Sequence, residues 1–232
     1  TAPFTNRYYA AGLQPRTAVG NPYGDGYYDD FNTAVGLDSA GRTQLHHKGK
    51  LVIGVENTPT VIFDLMQFLV IDLGGVVGQI GMGQHGTAFA HAGMRMGPAI
   101  CYEGLYGDFY GDFVRRGAQF MAIISNDGWW GDTPGYKHLF TISRLRAIEH
   151  RPPIAPSANT GMSGFISARG DIGETLGWKK RGVISAAVPL NSELTFYTRY
   201  GDYLGRISEY LTLLCVLYYI AYRVKRKNYL VK

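Results

Sequence analysis

Thirteen consecutive residues without a charge, Tyr210 to Tyr222, run straight into Arg223, Lys225, Arg226 and Lys227. This segment limits the architecture most firmly, because an apolar helix must be covered by protein, by a partner or by lipid. Thirteen residues fall short of the roughly 20 that a bilayer core requires at about 1.5 Å each. Extension back through Ile207 and Leu204 lengthens the segment, taking in Arg206, Ser208 and Glu209 near one end. Tyr203 and Tyr210 on one side, and Tyr218, Tyr219 and Tyr222 on the other, have the placement of interfacial aromatic belts. An amphipathic helix packed on the body or on a partner would carry charges spaced along the segment, and there are none. The expectation is one transmembrane helix with its basic end cytoplasmic and residues 1–204 on the opposite side. Cys215 lies within it.

The charge balance divides the chain in the same place. Of 23 Lys and Arg, five fall in the last ten residues, leaving 18 against 18 acidic residues in 1–222. A neutral body with a basic tail argues against a groove that follows phosphates, so no nucleic-acid partner is expected. The 232 residues suffice for one domain plus an appendage, placed at 1–204 and 205–232. Two cysteines exclude a disulfide scaffold, and no CxxC or HxxxH spacing suggests zinc. His46 and His47 are adjacent and on a strand point to opposite faces, which disfavours a metal there. Gly74-Gly75 and the glycines after it lack the GxGxxG spacing and a following helix, so no cofactor is expected. The chain opens on Thr1-Ala2-Pro3-Phe4 without Met, which reads as a piece of something longer.

Along the body, residues 1–30 show no sustained period and read as loop with at most short strands. Strands are expected at Asn32–Asp38 and Thr43–His46 around a turn at 39–42, then at Lys50–Val55, Phe68–Leu73, Gly97–Tyr102 and Phe120–Ser125. Helices are expected at Asp108–Arg116 and Lys137–His150, the second ended by Pro152-Pro153. Three further strands are read at Pro153–Ser157, Gly164–Ala168 and Val183–Val188. The result is an α/β chain without the regular alternation of a dinucleotide fold.

Three places can carry chemistry. Cys101 ends an apolar run and precedes Tyr102-Glu103-Gly104, where a helix can begin; a thiol at such a corner faces substrate, and amide N–H groups nearby can stabilise an oxyanion. A nucleophilic thiol needs a lowered pKa, which a neighbouring lysine would provide; an isolated Cys in an apolar strand is otherwise a small core residue. Lys48 and Glu56 flank a strand and a glycine, a spacing that can return both charges to one pocket or leave both in solvent. Trp129 and Trp130, in Ser125-Asn126-Asp127-Gly128-Trp129-Trp130-Gly131-Asp132, are costly to leave in water, and either fold under their loop or grip an apolar ligand or a bilayer.

The ordered blocks HHKGKLVIGVE, ICYEGLYGDF, ISNDGWWGDTPGYKHL, RLRAIEHR and SANTGMSGFISARGDI resemble the nitrilase superfamily. Within it, together with YTRYGDYLGR and one apolar helix, they resemble the apolipoprotein N-acyltransferase family. The resemblance runs from about Asn32 to the terminal basic cluster. It implies a nitrilase-type four-layer αββα sandwich, incomplete at its N-terminus, with one C-terminal transmembrane helix, and a Glu-Lys-Cys triad. By motif, Cys101 is the nucleophile, Lys48 steadies the tetrahedral intermediate, and Glu56 is the further glutamate beside the pocket. Tyr102, Glu103, Trp129 and Trp130 are expected to meet substrate.

The reaction implied is ping-pong: an acyl chain from a phospholipid donor forms a thioester on Cys101, then passes to the α-amine of a diacylglyceryl-cysteine apolipoprotein acceptor. The implied place is the bacterial inner membrane, with the catalytic domain periplasmic. Two positions depart from the pattern. Residues 1–55 contain no glutamate, so the block bearing the general base is expected before Thr1. Without a general base, which typically contributes ~10²–10⁴ in rate, the chain alone is expected to be nearly inactive. Pro156 stands where relatives carry an arginine. The alternatives left open are an amidase acting on small C–N bonds with the same Cys and Lys, and a catalytically dead membrane-tethered binding module.

Overall fold

The structure, a computed structural model, describes residues 8–10, 29–38, 40–52, 56 and 80–230. Alternation along the strands decides which surface each sheet buries. In β6 (Met94–Ile100), Ala99 faces a core built with Met121 and Ile123 of β7 (Phe120–Ser125), Ile154 of β8 (Ile154–Ala158) and Ile166 of β9 (Ser163–Ile166). Ile100, one residue on, points to the other face and meets Ala34 and Phe89. With β5 (Phe89–His91) and β10 (Ile172–Leu176) these strands form one six-stranded sheet in the order β10-β9-β8-β7-β6-β5. The pairs β6–β7 and β7–β8 are parallel and the rest antiparallel. Ile100 pairs with Ile124, and Ser125 with Ala158, so the carboxyl ends of three parallel strands lie side by side. In open α/β sheets that edge is where ligands bind.

Two helices cover one face: α1 (Gly107–Arg115), contributing Tyr110, Phe113 and Val114, and α2 (Pro134–His150), contributing Phe140 and Ala147. Burying each of these large side chains is worth about 1.5–3 kcal/mol. The helix α2 starts where Thr133 caps the amide of Gly135 and Pro134 takes the first turn, and it ends at Arg151 (φ 71°) before Pro152-Pro153. On the other face lies a hairpin of β3 (Thr33–Leu37) and β4 (Thr43–His47). These are the helical layer and the two sheets of the expected sandwich. A further small pair, β1 (Tyr8–Ala10) with β2 (Asp29–Phe31), matches the short strands read in the first 30 residues.

Two readings change. The strand expected at Val183–Val188 is irregular, with Val183 95% exposed, and the sheet's last strand is β10 instead. As an edge strand with mostly exposed residues, β10 shows no apolar alternation to be read. The run expected to begin at Gly97 begins at Met94, because Ala92 and Gly93 (φ 47° and 80°) form the tight turn that links β5 to β6. The expected strand at Phe68–Leu73, and the end of the one at Lys50–Val55, lie outside the described residues.

After α3 (Phe196–Tyr200), helix α4 (Tyr203–Leu230) leaves the body. Residues Tyr203–Arg223 have a mean hydropathy of 1.3, and none of that span is buried against the described residues. Twenty-one residues reach about 31 Å, the thickness of a bilayer core. The rings of Phe196, Tyr200 and Tyr203 cluster at its base, with centroids 4.5 and 5.1 Å from Phe196.

The body is tied to α3 through His150, which is fully buried and shares a 2.9 Å hydrogen bond between Nδ1 and Thr198 Oγ1. Burial, reinforced by the Arg146 guanidinium, holds its imidazole down to about 4. The unfolded chain takes up a proton near pH 6.5, so between pH 6.5 and 4 it binds more protons than the folded one. The stability present above pH 6.5 is therefore lost as pH falls toward 4, by on the order of 3 kcal/mol. Thermal melts of wild type and His150→Asn from pH 7.5 to 4.5 check this: the wild-type curve is expected to fall more steeply, and parallel curves would contradict it.

Candidate active site

Cys101 follows β6 directly and opens a 3-10 turn, Cys101–Leu105. Its φ of 46° is left-handed, a conformation that costs a non-glycine residue of order 1–3 kcal/mol and persists only where its surroundings enforce it. Glu103 is what enforces it. Its carboxylate, with no exposed surface, accepts the amide of Ile100 at 2.6 Å and the amide of Gly49 at 2.6 Å, and sits 3.1 Å from His46 Nε2. One buried side chain thus fastens the corner carrying Cys101 to the loop carrying Lys48. Glu103, expected to meet substrate, has no exposed surface, and both of its oxygens are engaged by backbone amides and His46.

Lys48 is 2% exposed, and its Nζ donates to both oxygens of Glu56 at 2.9 and 2.7 Å. Glu56 also accepts from Asn32 Nδ2 and from the amide of Val52, each at 2.8 Å. The backbone of Lys48 is pinned twice: its amide donates to Asn32 O at 2.8 Å, and its carbonyl accepts from Gly83 N at 2.9 Å. Only glycine fits at 83, since a Cβ there would overlap the carbonyl of His47. His46 and His47 take separate partners, His47 sharing a 2.8 Å hydrogen bond with Thr33 Oγ1.

The Cys101 thiol is raised above its ordinary value, principally by burial, with Asp127 and Glu56 adding to the rise. Lys48 and the Ser125 hydroxyl act in the opposite direction without overcoming it. The structure therefore brings Cys101, Lys48 and Glu56 together, but the expected lowering of the thiol does not occur, because Lys48 is already paired and the sulfur is largely desolvated. The thiol rests protonated and must be deprotonated as it attacks. Lys48 is then placed to stabilise negative charge that develops on the substrate.

Beside the sulfur opens a small cleft, partly open to solvent, at the carboxyl ends of β7 and β8. Ser125 and Asp127 line its polar end; Leu105, Ile123, Phe140, Pro156 and Met162 form much of its apolar wall. Of the other expected contacts, Tyr102 packs edge-on against Tyr106 at 5.5 Å and Trp130 is exposed, neither lining the cleft. The side chain of Trp129 lies outside the described residues. Sequence reasoning missed Asn32, Gly83, Ser125 and Asp127 as parts of the site; a Ser-Asn-Asp run directly after a buried strand was the available signal.

A thiol at a left-handed strand end, a lysine–glutamate pair beside it and parallel strand ends under both make up the site. The chain belongs to the carbon-nitrogen hydrolase family, whose model matches residues 6–194. It is 35% identical over 181 residues to the apolipoprotein N-acyltransferase of Chlorobaculum tepidum, covering 75% of this chain and 34% of that protein. It is 34% identical over 190 residues to the apolipoprotein N-acyltransferase of Verminephrobacter eiseniae, covering 78% of this chain and 34% of that one. The chain thus spans about a third of the length of these relatives. Among solved structures, a Saccharomyces cerevisiae member of branch 10 of the nitrilase superfamily superposes with a TM-score of 0.50 at 18% identity, covering 66% of this chain and 51% of that one, a likeness of fold alone.

Proposed function

We propose that the chain is the catalytic portion of an apolipoprotein N-acyltransferase. The observation that carries the reading is the coexistence, in one chain, of a cleft-lining thiol beside a buried lysine and an unburied apolar helix long enough to cross a bilayer. An enzyme acting on small dissolved amides has no need of the helix; one that takes an acyl chain from a phospholipid must sit where that lipid is. In this reading Cys101 attacks the ester carbonyl and Lys48 steadies the tetrahedral oxyanion, held in place by Glu56. The thioester formed divides one hard acyl transfer into two easier ones. Residues 1–204 lie on the periplasmic side of a bacterial inner membrane, the helix spans it, and the Arg223–Lys227 cluster faces the cytoplasm.

The test uses the full-length protein in phospholipid nanodiscs, with variants numbered as here. Given a diacylglyceryl-cysteine lipopeptide, it is expected to convert the free α-amine to an amide in a lipid-dependent reaction, and to release no ammonia from short aliphatic amides. Ammonia release without lipopeptide acylation would favour the amidase reading instead.

A further inference from the structure

The cleft beside Cys101 holds a charge that the reaction as described leaves unused. Asp127 is 4% exposed and is the only carboxylate among the described residues that line the cleft. Its Oδ1 accepts the hydroxyl of Ser125, and its Oδ2 lies where a Cβ on residue 161 would stand, so that Gly161 leaves it room. No described Lys, Arg or His forms an ion pair with it. Burial pushes its carboxyl above the ordinary range, with the Ser125 hydroxyl opposing. A desolvated carboxylate without a cation is costly to keep. The cleft therefore favours a cation over an anion: the Asp127 carboxylate meets the charge, and Leu105, Ile123, Phe140, Pro156 and Met162 offer apolar contact beside it.

We propose that Asp127 docks the primary ammonium group of the acyl acceptor against the thioester on Cys101. The inference rests on the acyltransfer reading above and assigns the acceptor side of that site. In the step, the ammonium R–NH3⁺ gives one proton to the Asp127 carboxylate, leaving R–NH2 and a neutral carboxylic acid. The nitrogen attacks the thioester carbonyl carbon, the new C–N bond forms and the C–S bond breaks. The second N–H proton goes to the departing sulfur, restoring the thiol, and Asp127 returns its proton to water. Ser125 donates to Asp127 and holds its carboxyl group at the wall of the cleft.

The experiment separates the two half-reactions in the full-length protein in nanodiscs, with S-palmityl-cysteine methyl ester as a lipid-tailed primary amine. Because Asp127 also bears on the Cys101 thiol, the readout is the ratio of the two half-reactions: in Asp127→Asn aminolysis by the probe is expected to fall about 10²-fold further than thioester formation does. Aminolysis at the wild-type rate, or equal losses in both half-reactions as a structural defect would give, overturns the proposal. A second arm needs no acylation: the probe amine should slow alkylation of Cys101 by iodoacetamide. The half-protecting concentration is expected to rise at least about tenfold in Asp127→Asn. The N-acetylated probe, lacking the positive charge, should protect both proteins equally weakly. Equal protection of both by the free amine overturns the proposal. If the wild-type protein forms no thioester, the acyltransfer reading falls, and the protection arm alone decides the role of Asp127.

Discussion

Replacing Lys48 by Met is expected to slow thioester formation on Cys101 by about 10²–10³-fold, the usual loss when one preorganised oxyanion stabiliser is removed. The substitution has a second effect that must be separated from the first. Glu56 loses the ammonium that donates to both of its oxygens and keeps only Asn32 and the Val52 amide. Breaking such a pair from one side leaves a poorly compensated carboxylate, so the single variant should also melt at a lower temperature. Removing the charge on both sides, in Lys48→Met with Glu56→Gln, should recover much of the melting temperature and none of the acylation rate. Rapid-quench measurement of the thioester alongside thermal melts distinguishes the two. Recovery of acylation together with stability would mean that Lys48 is a packing residue and stabilises no charge on the substrate.

The largest effect on folding is expected at Glu103. Its carboxylate takes the amides of Ile100 and Gly49 and meets His46, all without contact with water. In Glu103→Ala those donors are left buried and unpaired, at about 1–3 kcal/mol each. A combined loss of about 3–5 kcal/mol corresponds to a fall of on the order of 10 °C in melting temperature for a chain of this size. Because the same side chain joins the Cys101 corner to the Lys48 loop, acylation should fail together with the fold. Were Glu103 a substrate contact, as the sequence alone suggests, Glu103→Ala would leave the melting temperature near wild type and raise KM. Melting curves beside the donor-lipid KM distinguish the two.

These residues also show how far the sequence can be read. Cys101, Lys48 and Glu56 were singled out through the family blocks, since position alone left Cys101 a small core residue and spacing alone allowed Lys48 and Glu56 to be solvated. The burial of Glu103 was not: a carboxylate beside a nucleophile reads as a contact, and only the left-handed turn at Cys101 aims it inward. The state of the thiol was hidden for a related reason. A nearby lysine is visible in sequence, while the desolvation that outweighs it and the glutamate that occupies it depend on packing. In Ser125–Asp132 the tryptophans drew attention away from Asp127, whose burial follows from a short 3-10 turn, Asp127–Trp130, that folds back on Ser125. Strand β10 escaped because an exposed edge strand carries no apolar period, and the apolar run at Val183–Val188 attracted the assignment instead.

The account stands on Cys101 receiving an acyl chain from lipid, and peptide mapping by mass spectrometry tests it most directly. After the full-length protein is incubated with a diacyl phospholipid, the peptide bearing Cys101 should gain the mass of one acyl chain. Hydroxylamine should remove that mass, and Cys101→Ala should never acquire it. An unmodified Cys101 peptide in a preparation that still acylates lipopeptide, or an acyl chain found on a different residue, would contradict the account.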